Sequence, residues 1–334
     1  MSIKILDCTL RDGGYVNNWD FSTNQIDYII NNLVKSGIET IEIGILGKHN
    51  KEGGTKYNDF AEIERLNLPC LLNVKYALMV NYAEASDFFI PKKNETNIDI
   101  IRIAFFKNEA NEAIKYAEAI KSKGYEVFMQ PMATSLYSER ELQLLLNKIN
   151  SLEPAAFYMV DSFGTMFNDD VKRISSLIIS HLSETIQFGF HAHNNMQMAL
   201  SNVIFLSSFI KTRDIYIDST VFGMGRGAGN VPTEILQFFL NQHGYNYDYV
   251  ETIKVFETVL NPIFQHSPWG YSMMYFISAS MNTNSAYSWY FNNKGLTSYM
   301  DQIEVLKKIP DNKRYTLMKD IADDILLNKD KNHD

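Results

Sequence analysis

The feature that most constrains this chain is a rhythm over its first ~240 residues: short apolar, β-branched runs alternate with longer amphipathic ones. Eight candidate strands are readable: Ile3–Cys8, Thr40–Ile45, Val74–Val80, Ile100–Phe105, Glu126–Met132, Phe157–Asp161, Gln187–His191 and Ile215–Thr220. Helix-like stretches lie between them, among them Glu109–Lys123, Glu139–Ile149, Asp169–Leu182 and Met196–Phe209. Strands alternating with helices imply parallel βαβ units. Eight such units in roughly 250 residues is the size of a (β/α)8 TIM barrel. A doubly wound open sheet would want a dinucleotide-type glycine turn after the first strand, and Leu10-Arg11-Asp12-Gly13-Gly14 is not one.

The rhythm stops near Tyr245. The reading is therefore a barrel over residues 1–243 and a small C-terminal helical appendage over residues 244–334, with aromatic-rich stretches at Pro268-Trp269-Gly270-Tyr271 and around Tyr287, Trp289, Tyr290 and Phe291. Those aromatics either pack the appendage on the barrel or form a patch for self-association, hence a homo-oligomer. The loops Leu46–Asn58 and Pro91–Asp99 are expected to overhang the strand ends.

Composition narrows the partners. There are 31 Lys+Arg against 39 Asp+Glu, a formal net charge of −8, and no basic stripe, so neither nucleic acid nor an anionic membrane is an expected partner. Two cysteines, Cys8 and Cys70, are too few for a disulfide framework and fit a reducing cytoplasm. No apolar run approaches the ~18 residues of a membrane span, and the opening Met-Ser-Ile-Lys-Ile-Leu-Asp meets a charge too early for a secretory leader.

In a TIM barrel, chemistry gathers at the carboxyl ends of the strands. The first strand leads into Asp7-Cys8-Thr9-Leu10-Arg11-Asp12-Gly13-Gly14-Tyr15, a permanent cation beside a hard carboxylate. Alone, that pair reads first as an ion pair capping the next segment. The seventh leads into His191-Ala192-His193, and residues i and i+2 of a strand face the same side. Two like-facing imidazoles with a carboxylate such as Asp12 would make a 2-His-1-carboxylate metal set, the alternative being two satisfied polar histidines. The eighth leads into Gly223-Met224-Gly225-Arg226-Gly227-Ala228-Gly229-Asn230, whose glycines let backbone approach a ligand or a neighbouring loop. Glu42, alone on Ile41-Glu42-Ile43-Gly44, needs a cation if buried, and Arg11 is the candidate. Asp161-Ser162-Phe163-Gly164 offers donors and acceptors, or a cap and turn.

Together and in this order, Cys8-Thr9-Leu10-Arg11-Asp12-Gly13, Tyr158-Met159-Val160-Asp161-Ser162, His191-Ala192-His193-Asn194-Asn195 and Gly223–Asn230 resemble the DRE-TIM metallolyase superfamily (HMGL-like TIM barrels), most of all its 4-hydroxy-2-oxovalerate aldolase branch. The resemblance covers roughly residues 3 to 243 and is looser in the tail, through Pro268-Trp269-Gly270-Tyr271-Ser272. It implies a catalytic Mn2+ or Mg2+, with Co2+ a further choice, held by Asp12, His191 and His193. Imidazole ligands tilt that choice away from Mg2+. It implies that Arg11 holds an enolate oxygen, that Glu42 is the acid behind Arg11, and that Asn230 ligates or borders the metal, with Asp161 and Ser162 at the substrate.

The implied reaction is cleavage of a 4-hydroxy-2-oxo acid to a 2-oxo acid and an aldehyde, or its reverse, through a pyruvate-type enolate held at the metal. The branch's aldolases carry a histidine three residues after the metal Asp, and here that position is Tyr15. Tyr15 is then the proton donor or relay, or another group takes over: Tyr271, Tyr287, His49 or a metal-held water. The dehydrogenase partner common in the branch is not expected, because the tail differs. Two other classes stand beside this one: a Claisen-type acyl-CoA synthase or lyase on the same metal site, and a non-catalytic barrel.

Overall fold

The computed structural model describes residues 2–49 and 53–330. Eight strands form one closed parallel sheet: β1 Ile3–Asp7, β2 Thr40–Leu46, β3 Lys75–Asn81, β4 Ile100–Phe105, β5 Glu126–Pro131, β6 Ala156–Asp161, β7 Gln187–Ala192 and β8 Ile215–Ser219. Each pairs with the next, and the ring closes where β1 pairs with both β8 (Ile3 opposite Ile215) and β2 (Leu6 opposite Thr40). The chain is thus a TIM barrel with helices following it. Both faces of such a sheet are covered, which is why its strands read as near-continuous apolar runs.

The outer helices bury one stripe each. Thr23–Lys35 turns Ile26, Ile29, Ile30 and Leu33 inward, an i, i+3, i+4, i+7 spacing. Ser22 starts it with a capping box: its Oγ accepts from the Gln25 N–H, and the Gln25 Oε1 accepts from the Ser22 N–H. Glu139–Leu152 repeats the device with Ser138 and Glu141 and buries Leu142, Leu145, Leu146, Ile149 and Leu152. Each fully buried leucine or isoleucine contributes roughly 1.5–3 kcal/mol, so Leu146→Asp would detach this helix.

Three local features depart from the sequence reading. A two-residue strand, Lys56–Tyr57, pairs with Ile45 and Leu46 inside the segment expected to be a plain loop. The helix expected from Met196 starts at Ala199, because Gln197 has φ +59 and the Asn194 side chain accepts from the Ala199 N–H. Strand β2 is bulged between Glu42 and Ile45. Gly44 permits the bulge: a Cβ there would lie 2.1 Å from the Thr55 carbonyl oxygen.

Inside the barrel, Leu6, Ala77, Ile100, Phe128, Ala156 and Tyr216 fill the lower layers. Tyr158 is fully buried above them, in space that exists because residue 189 is glycine: a Cβ there would lie 2.4 Å from the Tyr158 ring. Beyond the barrel, helices Met273–Ser280, Ser285–Asn293, Tyr299–Lys307 and Lys319–Asp330 follow. They enclose a second apolar core of Ile277, Tyr287, Phe291, Val305 and Leu306.

Trp269 anchors this unit, donating its indole N–H to the Phe222 carbonyl at 2.9 Å. The Tyr315 ring lies against Phe106 and Phe163 at the strand ends, with centroids 6.5 and 6.2 Å away. Among the tail aromatics, Trp269 and Tyr287 pack, while Tyr271 and Trp289 are exposed. Both cysteines are free, and among the described residues no helix is long and apolar enough to cross a membrane.

Candidate active site

At the carboxyl ends of β1, β7 and β8 the expected residues meet. One ligand atom from each of Asp12, His191 and His193 lies within 4.8 Å of the others, and all three residues are buried. The imidazole rings stand edge to face with centroids 5.0 Å apart. His191 Nδ1 faces the Asp218 Oδ2 at 2.8 Å, and His193 Nδ1 faces the Gly229 carbonyl at 3.3 Å. In both rings Nδ1 is therefore the donor and Nε2 carries the lone pair a metal would use, that of His193 facing the Arg226 Nη2 at 3.2 Å.

Asp12 is held from two sides. Its Oδ1 accepts from the Arg11 Nη1, and its Oδ2 accepts from the Asn230 Nδ2 at 2.6 Å. Arg11, with help from His193, His191 and Arg226, holds the carboxyl well below the usual range against the opposing effect of burial. Burial in turn pushes His193 well below its ordinary value, so the ring is neutral and able to ligate.

Beneath this layer the charges alternate. Glu42 Oε2 accepts from Arg11 Nε at 2.7 Å and pairs with Arg102 Nη1 at 2.8 Å. Arg102 also pairs through Nη2 with the Asp218 oxygen that faces His191, and its guanidinium lies 4.9 Å above the Tyr158 ring. Asp12–Arg11–Glu42–Arg102–Asp218–His191 is thus a continuous chain of paired groups. Its two guanidinium groups against three carboxylates leave this buried chain a formal charge of −1 before Arg226 is counted.

These residues fit a divalent cation. The donor set is two imidazole nitrogens and a carboxylate. The residual charge is negative. The Asn230 Oδ1 is buried beside Asp12 with no hydrogen-bond partner among the described residues. A Cβ on Gly225 would sit 2.1 Å from the Asn230 Nδ2 and 2.6 Å from the Asp12 Oδ2, so the glycine keeps that space clear.

The remaining expected residues are placed as follows. Tyr15 is 43% exposed, its ring edge-on to Trp19 at 4.6 Å, with the Arg226 guanidinium 5.8 Å from its centroid. Desolvation raises the phenol above its ordinary value, Arg226 and Arg11 opposing and Asp12 and Glu84 adding to the shift. Trp19 also donates its indole N–H to the Arg11 carbonyl at 2.8 Å, which fixes the loop that carries the pair.

Asp161 accepts the Thr165 and Met166 N–H groups, each at 3.0 Å, and builds the turn after β6. The Ser162 Oγ accepts from the Ala133 N–H at 2.8 Å. Neither side chain hydrogen-bonds to the cluster. Tyr271 is 54% exposed, and among the described residues it makes no hydrogen bond, ion pair or ring contact with Asp12, His191 or His193. Tyr287 lies elsewhere, donating to the Lys313 carbonyl at 2.8 Å in the second core. His49 faces Glu62 at 3.7 Å in the segment after β2.

Sequence reasoning missed Arg102 and the task of Asp218. The signal for Arg102 was present: a lone charge in Ile100-Ile101-Arg102-Ile103, the same oddity that marked Glu42. It also passed over Asn195, whose Oδ1 accepts the Ala228 N–H while its Nδ2 donates to the Phe163 carbonyl, tying two strand-end loops together.

Similar sequences and folds are known. A family model described as HMGL-like matches residues 2–259. Oxaloacetate decarboxylase of Mycobacterium tuberculosis is 27% identical over 272 residues, covering 80% of this chain and 79% of that protein. 4-Hydroxy-2-oxovalerate aldolase of Thermomicrobium roseum is 28% identical over 271 residues, 79% of this chain and 74% of that protein. Among solved structures, the N-terminal domain of a candidate aldolase from Bacteroides vulgatus superposes with a TM-score of 0.75 at 31% identity, covering 90% of this chain and 99% of that one. The carboxyl transferase domain of Rhizobium etli pyruvate carboxylase (TM-score 0.75, 11% identity, 99% of this chain and 61% of that one) shares the fold. The chain belongs to the HMGL-like family of metal-dependent carbon–carbon lyases and aldolases.

Proposed function

We propose that this protein breaks or forms the C3–C4 bond of a 2-oxo acid, with a 4-hydroxy-2-oxo acid yielding a 2-oxo acid and an aldehyde. The observation that carries the reading is the convergence of Asp12, His191 and His193 beside the Arg11 guanidinium. A divalent cation bound by those three residues, Mn2+ before Mg2+ by the preference of imidazole, would act as a Lewis acid on the 2-oxo group.

The chain's own groups do the rest. Arg11 uses Nε on Glu42 and Nη1 on Asp12 and, among the described residues, makes no hydrogen bond through Nη2, which can meet the substrate's C2 oxygen. As the C3–C4 bond breaks, its electron pair moves to that oxygen, and a fixed guanidinium there is worth about 3–4 kcal/mol. Glu42 and Arg102 hold Arg11 in place. The proton on the C4 hydroxyl must leave, and C3 must later gain one. Tyr15 is the ionisable side chain beside Arg11 and Arg226 on the open side of the cluster. Its raised pKa suits it to donate a proton and leaves removal of the hydroxyl proton to a water that it orients.

A specific observation supports a second reading. Loss of CO2 from a 2-oxo acid carrying a carboxylate on C3 sends the same electron pair to the same oxygen and requires no base. The position three residues after Asp12 holds a phenol of raised pKa, and a decarboxylase is among the relatives. The test is to load the protein with Mn2+ and supply 4-hydroxy-2-oxovalerate or oxaloacetate, measuring aldehyde and CO2 separately. His191→Ala should lose both the ion and turnover. Full activity in that variant, or no product from either substrate, would reject the proposal.

A further inference from the structure

The Arg226 guanidinium is the one strong charge at the cluster that the reaction above does not use. It is half-buried, and its Nη2 donates to the Ser162 carbonyl at 3.0 Å and lies 3.2 Å from the His193 Nε2. No carboxylate pairs with it among the described residues. Its backbone is pinned over the site. The Arg226 N–H reaches the Asp12 Oδ2 at 3.4 Å, and a Cβ on Gly225 or Gly227 would strike Asp12 and Asn230, or Asn195. An arginine held in this way, without an acid, awaits an anion.

Charge counting says which anion. The buried chain sums to −1, and Arg226 brings the mouth to zero. A divalent cation held by His191 and His193 would occupy the nitrogen that Arg226 now faces, would leave the guanidinium without that partner and would raise the sum to +2. A monocarboxylate leaves a charge uncompensated, and a dicarboxylate neutralises it. Resting on the lyase reading above, we propose that Arg226 is a specificity-determining residue that grips a second carboxylate, so the substrates are 2-oxo dicarboxylates.

The test uses binding, so it does not depend on turnover. Mn2+-loaded protein is titrated with 2-oxoglutarate and with 2-oxovalerate, which share chain length and differ in a terminal carboxylate. The wild type should prefer 2-oxoglutarate by roughly 10- to 100-fold, the range for one charge-assisted hydrogen bond. Arg226→Gln should bring the ratio of affinities toward one, and Arg226→Lys should restore part of it. Bound Mn2+ and circular dichroism check that each variant is loaded and folded. Equal wild-type affinities, or a preference that survives in Arg226→Gln, would overturn the inference. A preference that Arg226→Gln abolishes, in a protein that cleaves neither class of substrate, would sustain the carboxylate site and reject the lyase reading.

Discussion

The Oδ2 of Asp218 faces the Nδ1 of His191 at 2.8 Å and is also the oxygen that Arg102 grips. One carboxylate oxygen therefore sets the tautomer of an imidazole in the candidate metal site and ties it to a fully buried guanidinium. Burial alone would raise this carboxyl, yet Arg102 and His191 lower it, so it stays ionised. Partners of this type are worth 10- to 100-fold in metal affinity. Asp218→Asn keeps the size and loses the charge, and its Mn2+ affinity by titration calorimetry should fall by about that factor. Unchanged affinity would show that His191 needs no carboxylate behind it.

Arg102 has no contact with solvent and serves two acids, Glu42 and Asp218. Its removal leaves both short of a partner in a closed barrel, and breaking a buried pair costs about 3–5 kcal/mol. Arg102→Met should lower the urea stability of the metal-free protein by that order. Adding Glu42→Gln should recover part of the loss, because the two residues are coupled. Strict additivity of the two changes would mean that the pair is not a unit.

Gly225 separates folding from metal binding. Its backbone does not occupy the left-handed region, so alanine is conformationally allowed, but the methyl group would enter the space between Asn230 and Asp12. Gly225→Ala should therefore fold with a near-native circular dichroism spectrum and bind Mn2+ at least about tenfold more weakly, one displaced ligand being worth that much. Wild-type affinity in this variant would move the ion elsewhere in the mouth.

The barrel was legible because period and composition act locally: all eight strands are found near their expected positions, and Asp12, His191 and His193 converge as the i, i+2 spacing and strand-end placement required. Partners set by tertiary closure were harder to read. Glu42 announced its need for a cation, yet Arg102 lies 60 residues further along the chain, and nothing in its own segment says which acid it will meet. The Lys56–Tyr57 strand is too short to carry a period. Tyr287 looked like a reactive aromatic in the sequence, where its burial in the second core could not be seen. For Asp161 the sequence leaves a substrate-facing acid and a turn builder open, and the backbone amides of its own turn claim both its oxygens.

Tyr15 divides the two reactions weighed for this site. An aldol cleavage needs a proton taken from the C4 hydroxyl, whereas loss of CO2 does not. General acid–base help is worth 10²- to 10⁴-fold. Tyr15→Phe should lower aldehyde release by about 10²-fold while Mn2+ content is unchanged, and CO2 release should fall less. Tyr15→His, which installs a base of near-neutral pKa, should raise aldehyde release relative to CO2 release. If both products fall together in Tyr15→Phe and neither responds to histidine, the phenol serves only the protonation of C3 that the two reactions share.

Asp7, at the end of β1, gives a pH dependence that is separate from the metal site. It is fully buried, its Oδ1 accepting the Thr9 N–H at 2.9 Å and its Oδ2 the Thr233 hydroxyl at 2.8 Å. Burial outweighs these bonds and raises the carboxyl to about 6, against about 3.9 in the unfolded chain. Below about pH 4 both states hold the proton, and the contribution to stability is at its full value. Between about pH 4 and pH 6 the unfolded chain releases the proton while the folded one keeps it, so stability falls. Above about pH 6 both are ionised and the loss levels off at up to about 3 kcal/mol. Asp7→Asn should remove this slope, since its amide can still accept from Thr9 and donate to Thr233. Urea midpoints of the metal-free protein from pH 4 to pH 7 would show it: the variant should overtake the wild type as pH rises. Parallel curves would mean that Asp7 ionises as readily in the folded protein as in the unfolded chain.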